Sequence, residues 1–319
     1  AVERAEVIPI QQVKQLSDVR AVDLFSLPKI PTGIASLDKV LSGGIYLGQT
    51  VILTGKRGDG KSTLGSQILA NALDEGKAVF AYSGELPDYF FKRWIDLQIA
   101  GKHNVIDRAG PGGIINYFIP NEKVNRISEW YRGRAYLFDN QSTEDDELGD
   151  LLEIIEKAVQ QYEVQLLLLD NLMTALDVGM NVDLYRAQSK FVDKLVKIAK
   201  RQQVAVILVV HPRKNRNGSD DNDAVSGSAD ITNKVDVVLT YRRDKTLKEN
   251  QRLLTVSKNR LTGKLATGEK ALTLYYDNVS KRISDNVEEF TRSYGWEADK
   301  DGFVSVTQEQ IEQMEIPFE

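Results

Sequence analysis

One stretch constrains this chain more than any other. Gly55-Lys56-Arg57-Gly58-Asp59-Gly60-Lys61-Ser62 has the pattern G-x-x-x-x-G-K-S, with a short apolar run before it and a helical one after it. Glycines at these places let successive backbone N–H groups curl around phosphate oxygens, and a helix beginning at Lys61 aims its positive end at them. Lys61 would reach the β- and γ-phosphates of a nucleotide such as ATP, and Ser62 would ligate Mg²⁺. Gly55, Arg57, Gly58, Asp59, Gly60 and Thr63 complete the candidate binding loop. A glycine-rich turn without nucleotide is the competing reading; the entering strand and leaving helix separate the two.

Around this loop the chain alternates. Short apolar segments at 50–54, 78–82, 135–138, 164–169 and 204–210 read as strands, the last two as strands buried on both faces. Between them, 61–73, 86–100, 148–162 and 182–202 carry apolar residues at helical spacing. Segments 235–241, 252–257 and 271–276 read as strands without long helices between them, hence antiparallel additions or edge hairpins. Residues 109–113 read as a loop, and the rest of 101–135 as short helical pieces. The predicted fold class is α/β with a mainly parallel central sheet and antiparallel edge strands.

Composition excludes several classes. The chain has 319 residues and no cysteine, which rules out disulfides and thiolate zinc sites; two histidines, His103 and His211, make a histidine-rich metal site a poor reading. No apolar run approaches the length that crosses a bilayer, and Ala1-Val2-Glu3-Arg4 opens no secretory signal. The sequence does not begin with Met, so processing or excision from a longer polypeptide is expected. Net charge is −5, but residues 285–319 hold ten acids and two bases, a net −8 that leaves +3 on residues 1–284. The body is therefore free to carry basic loops for nucleic acid. Residues 1–30 read as a polar, weakly amphipathic helix, either a plain linker or a helix that docks on a neighbouring subunit.

Further candidates fall at the ends of the parallel strands, an edge where α/β folds place ligands. Asp170 closes the strand at 164–169, where an acid holds the Mg²⁺ hydration shell; a turn or helix cap is the alternative. Glu85 follows the strand at 78–82, where a carboxylate can orient and deprotonate an attacking water or simply open the next helix. His211 ends the strand at 204–210, placed either to bond a γ-phosphate or to serve structure alone. The loop after it begins with Arg213, Lys214 and Arg216 and turns Gly-, Ser- and Asp-rich, either a nucleic-acid contact or a solvated loop. Lys258 and Arg260 end a late strand, as in an ordinary charged hairpin or an arginine finger supplied across a subunit interface.

Taken in order, Pro31-Thr32-Gly33, Leu37-Asp38, Gly43-Gly44, the phosphate loop, Ser83-Gly84-Glu85, Leu169-Asp170-Asn171-Leu172, His211-Pro212-Arg213-Lys214, Gly227-Ser228-Ala229 and Ser257-Lys258-Asn259-Arg260 form a set. That set resembles the RecA-fold motor of hexameric replicative DNA helicases. It is most similar to the mitochondrial helicase Twinkle and the phage primase-helicases, with bacterial DnaB more distant. The resemblance covers roughly residues 30–282. It implies that Glu85 is the catalytic base, His211 the γ-phosphate sensor, and Arg260 a trans-acting finger with Lys258 as its companion. It implies ATP and Mg²⁺ as cofactors, a hexameric ring around single-stranded DNA, 5′→3′ movement, and a channel lined by the loops after Asp170 and His211. Residues 1–30 become an inter-subunit linker helix, 31–284 the motor and 285–319 an acidic tail, with a primase or single-strand-binding protein as partner. The cytoplasm (a phage-infected host's included) or the mitochondrial matrix is the expected location. Two departures stand out. No primase or N-terminal collar domain precedes the motor, so it was removed or another protein supplies it; and Asp220, Asp221 and Asp223 put acids in the presumed DNA loop. Met314-Glu315-Ile316-Pro317-Phe318 resembles the acidic tips of single-strand-binding proteins, and a merely solvated tail is the alternative. A RecA/RadA-like recombination or repair ATPase forming filaments is the second reading, and a clock-type switch that uses ATP only to assemble is the third.

Overall fold

The computed structural model describes residues 13–139, 151–171, 184–211, 228–243 and 248–298. In chain order, the strands of its large sheet are β1 (Thr50–Thr54), β2 (Val79–Ser83), β3 (Ala135–Leu137), β4 (Leu166–Asp170), β5 (Ala205–Val210), β6 (Val237–Arg242), β7 (Gln251–Asn259), β8 (Leu272–Tyr276) and β9 (Ile283–Ser284). They lie side by side as β9-β8-β7-β6-β1-β5-β4-β2-β3. Every pairing from β6 to β3 is parallel, and β7, β8 and β9 add antiparallel strands on one side.

Both faces of the parallel part are covered, which is why β5, and β4 as far as Leu169, are unbroken apolar runs. Side chains alternate along each strand. Leu166 and Leu168 join one core with Leu64 and Ile68 of α2 (Lys61–Asp74), Ile95 of α3 (Asp88–Ala100) and Ile127 of α4 (Asn121–Trp130). Leu167 and Leu169 point the other way, to Ile155 of α5 (Leu151–Tyr162), Val192 and Leu195 of α6 (Leu184–Gln202) and Ile231 of α7 (Ser228–Lys234). A preceding helix, α1 (Ala35–Leu41), adds Leu37 and Leu41 to the first core.

The structure corrects four expectations. β6 pairs in parallel with β1, Val237 opposite Val51 through Thr240 opposite Thr54, instead of joining antiparallel. The seven-residue α7 supplies the crossover, too short for its periodicity to show in a polar, glycine-containing stretch. Within 101–135, Ile106–Ala109 and Ile115–Phe118 form an antiparallel hairpin around the turn Pro111–Gly113, while α4 is helical as expected. β-Branched isoleucines on either side of a Gly-Pro-Gly-Gly turn favour that pairing. In the described part of the segment expected to be a linker helix, Leu16–Asp18 forms one 3₁₀ turn and Lys29–Ile30 pairs with Ile45–Tyr46; Val13, Leu16, Val19 and Val22 are exposed. A short amphipathic helix has little to hold it when its apolar face meets water.

The fourth correction concerns the acidic tail. Residues 285–298 lie against the α/β core, with Phe290, Tyr294 and Trp296 buried. Arg282, 2% exposed, anchors them. Its guanidinium donates to the carbonyls of Gln98 (2.6 Å) and Ile99 (3.2 Å) at the end of α3, and of Glu289 (2.5 Å) and Arg292 (2.8 Å). It also lies 4.5 Å from the Tyr294 ring centre. The Tyr294 hydroxyl donates to Asn71 and accepts from Gln67 (2.9 Å), both on α2. Average charge hid three aromatic anchors in this segment.

Candidate functional site

Parallel pairing brings the ends of β1, β2, β4 and β5 to one edge. Thr54 pairs with Val210 and Ser83 with Asp170, so Gly55, Gly84-Glu85, Asp170 and His211 emerge beside one another. The phosphate loop spans the end of β1 and the start of α2. Gly55 has φ of 154°, and a Cβ there would lie 1.9 Å from the carbonyl oxygen of Tyr241 on β6, so only glycine fits. Asp59 braces the loop by accepting the Lys56 N–H at 2.8 Å, and Gly60, at φ of 100°, turns the chain into α2. Arg57 and Gly58 are exposed at the loop's crown, while Asp59 and Thr63 are buried.

Lys61 is buried. Its ammonium donates to the carbonyls of Gly55 (2.8 Å) and Lys56 (2.9 Å). Burial lowers its pKa, opposed by the carboxylates of Asp59, Asp170 and Glu85. Asp170, also buried, has its pKa raised first by burial and then by the negative charge of Glu85; a hydrogen bond from Ser62 works in the other direction. A hydroxyl and a carboxylate are the hard oxygen donors that Mg²⁺ takes beside phosphate and water, so Ser62 and Asp170 fit that ion. Among the described residues, no group of three or more His, Cys, Asp or Glu forms a metal cluster.

Glu85 and His211 meet through a residue to which the sequence reading assigned no role. Asn171 is buried, and its Nδ2 donates to Glu85 Oε1 at 2.6 Å and lies 3.1 Å from His211 Nε2. His211 Nε2 stands 3.4 Å from Glu85 Oε1. The His211 pKa is lowered, chiefly by burial and then by the positive charge of Lys61, which favours the neutral ring. The signal for Asn171 was its place directly after a strand-ending Asp at the carboxyl edge of the sheet.

Arg260 and Lys258 stand elsewhere. β7 runs against β6, with Asn259 opposite Val237 and Val237 opposite Val51, so the end of β7 lies at the amino edge. Arg260 donates to the Asn233 carbonyl (2.6 Å) and faces Asp236 (3.5 Å), half exposed. Lys258 donates to the carbonyls of Thr232 (2.7 Å) and Asn233 (3.1 Å), cations at the carboxyl end of α7. Its pKa is lowered by burial and by Arg260. Arg213, Lys214 and Arg216 lie outside the described residues.

Comparison with known proteins places the chain in a family. A family profile described as an AAA domain matches residues 20–217. The chain belongs to the AAA domain family. That membership implies nucleotide binding, and Gly55–Ser62 falls inside the matched residues. Among curated relatives, the DNA repair protein RadA of Mycobacterium tuberculosis is 29% identical over 273 residues, covering 84% of this chain and 46% of that protein. RadA of Escherichia coli is 34% identical over 76 residues, 24% of this chain and 16% of its own. The chain thus spans about half the length of the first of these relatives or less. Of solved structures, one described as an ATPase domain superposes with a TM-score of 0.63 at 16% identity, covering 82% of this chain and 92% of its own. A DnaB-like replicative helicase described with its interactions with primase gives 0.64 at 16% identity, covering 81% and 63%. At that identity the likeness establishes the fold alone, an α/β fold built on a mainly parallel sheet. No helix among the described residues is long and apolar enough to cross a membrane.

Proposed function

We propose that this chain is the ATP-hydrolysing motor of a ring-forming, DnaB-like replicative DNA helicase that moves 5′→3′ on single-stranded DNA. One observation carries the reading: the groups that would handle phosphate are split between two edges of one sheet. Lys61, Ser62, Asp170, Glu85 and His211 converge on the carboxyl edge, whereas Arg260 and Lys258 stand about four residues of strand away, roughly 13 Å. Such a chain completes its site when a second copy lays its amino edge against the first copy's carboxyl edge. Head-to-tail contacts of this kind close into rings or run on as filaments.

In the assembled site, Lys61 exchanges its loop carbonyls for β- and γ-phosphate oxygens. Glu85 orients the attacking water and takes its proton, and His211 bonds the γ-phosphate. The neighbour's Arg260, supported by Lys258, neutralises charge on the transferring phosphoryl group. Mg²⁺ held by Ser62 and Asp170 would offset the negative charge of the β- and γ-phosphates. Arg213, Lys214 and Arg216 are assigned to the DNA backbone, residues 1–30 to docking on a neighbour through the apolar side chains exposed in 13–25, and 31–284 to the motor. The acidic residues beyond 298 are assigned to a partner such as a primase or single-strand-binding protein. The cytoplasm or mitochondrial matrix is the compartment that suits this work.

A RadA-like repair ATPase acting as a filament is the second reading, favoured by the sequence relatives. The test is ATP turnover with and without single-stranded oligonucleotide, combined with particle imaging under a non-hydrolysable ATP analogue. Several-fold stimulation, closed six-membered rings and unwinding of a forked duplex are expected. Turnover indifferent to DNA despite intact ATP binding overturns the helicase, and DNA-length filaments favour the second reading.

A further inference from the structure

The Glu85–Asn171–His211 contacts have a chemical consequence beyond holding three side chains. Asn171 Nδ2 carries two protons, one directed to Glu85 Oε1 (2.6 Å) and the other facing His211 Nε2 (3.1 Å). To accept it, Nε2 must be the unprotonated ring nitrogen, which puts the proton on Nδ1, a buried atom without a hydrogen-bond partner among the described residues. To donate to a γ-phosphate oxygen through Nε2, His211 needs the proton on Nε2. The same nitrogen cannot do both. Engagement of phosphate by Nε2 therefore breaks the arm from Asn171 and also draws the ring away from Glu85 Oε1, which it faces at 3.4 Å. The carboxylate then passes from being held between ring and amide to being held by the amide alone. Asn171 itself is fixed in place, being buried immediately after the β4 carboxylate, with the Gly84 N–H bonded to the Asp170 carbonyl at 2.7 Å.

We infer that Asn171 is a positioning residue that couples phosphate sensing to the base: its amide ties Glu85 to His211, so the state of the sensor sets the placement of the carboxylate. This rests on the hydrolytic reading above, with Glu85 as base and His211 as sensor. It assigns to Asn171 the conditional character of hydrolysis, a low rate without DNA and a higher one with it. A residue that only positioned Glu85 would scale both rates alike. A residue that couples changes their ratio.

The experiment uses the full chain with Asn171→Leu, which removes both donors at similar volume, and Asn171→Ser, whose hydroxyl is too short to bridge both partners. ATP turnover is measured with and without a single-stranded oligonucleotide. Anisotropy of a labelled oligonucleotide gives its affinity in the presence of ADP and of a non-hydrolysable ATP analogue, a readout independent of hydrolysis. Couplings between sites commonly amount to 5–150-fold, and by linkage they act equally in both directions on binding. In both variants the stimulation ratio is expected to fall by about five-fold or more, with the analogue-to-ADP affinity ratio falling alongside. If turnover falls while both ratios keep their wild-type values in whichever variant folds, the coupling is overturned and the helicase reading stands. If the wild-type chain itself shows no stimulation, that reading fails and the inference with it.

Discussion

Replacing Arg260 by alanine separates catalysis from stability. In the isolated subunit the guanidinium makes one hydrogen bond to the Asn233 carbonyl and one contact at 3.5 Å with Asp236, and 47% of its side chain is exposed. Solvent-exposed pairs of this kind contribute about 1 kcal/mol or less. Asp236 keeps its bond from the Thr50 N–H, so the carboxylate is not left bare. For a domain of this size the loss corresponds to a fall of about 2–4 °C in Tm at most. A trans-acting arginine contributes at least about 10³ in turnover, or roughly 4 kcal/mol of transition-state stabilisation. Arg260→Ala is therefore expected to hydrolyse ATP about a thousand-fold more slowly while melting nearly as the wild type and binding nucleotide with unchanged affinity. Mixing equal amounts of Arg260→Ala and Glu85→Gln chains gives the decisive assay. Random assembly pairs an intact Glu85 with a neighbour's intact Arg260 at about a quarter of interfaces, so turnover should recover to about that fraction of wild type. No recovery, or a loss of Tm in proportion to the loss of turnover, refutes the shared site.

Arg282→Met should lower unfolding stability by about 3 kcal/mol or more in urea titrations, because four carbonyls lose a buried charged donor; an unchanged midpoint would count against the anchoring role. Gly55→Ala should remove nucleotide binding in calorimetry by pushing the loop away from the Tyr241 carbonyl, with a stability loss of about 1–3 kcal/mol. His211 has a depressed pKa, so the unfolded chain binds more protons than the folded one between that pKa and the ordinary value near 6.5. Its contribution to stability is thus present above about pH 6.5 and is lost as pH falls below it. His211→Gln should flatten the dependence of Tm on pH in that window, and an unaltered slope would show that other groups set it.

The carboxyl edge was legible before any coordinates because its chemistry sits at strand ends. Gly55–Ser62, Glu85, Asp170 and His211 each follow an apolar run, and parallel strands deliver their ends together. Asn171 lay in plain view, but an amide carries no pattern of its own, and only its distances to Glu85 and His211 give it a role. The parallel pairing of β6 was missed because a seven-residue helix is barely two turns. The hairpin within 106–118 was missed because its strands are four residues each and exposed, with no buried face to impose alternation. In the acidic segment, composition averaged over 35 residues outweighed the local message of Phe290, Tyr294 and Trp296.

The docked segment 285–298 also decides where this α/β core can be cut. A chain ending at Ser284 would keep Arg282 but strip away the Glu289 and Arg292 carbonyls and the Tyr294 ring, and would lay open the apolar surface now under Phe290 and Trp296. Precipitation of such a shortened protein would report an uncovered flank of α2 and α3, the helices that follow Gly55–Ser62 and Glu85, and would say nothing against the proposed site.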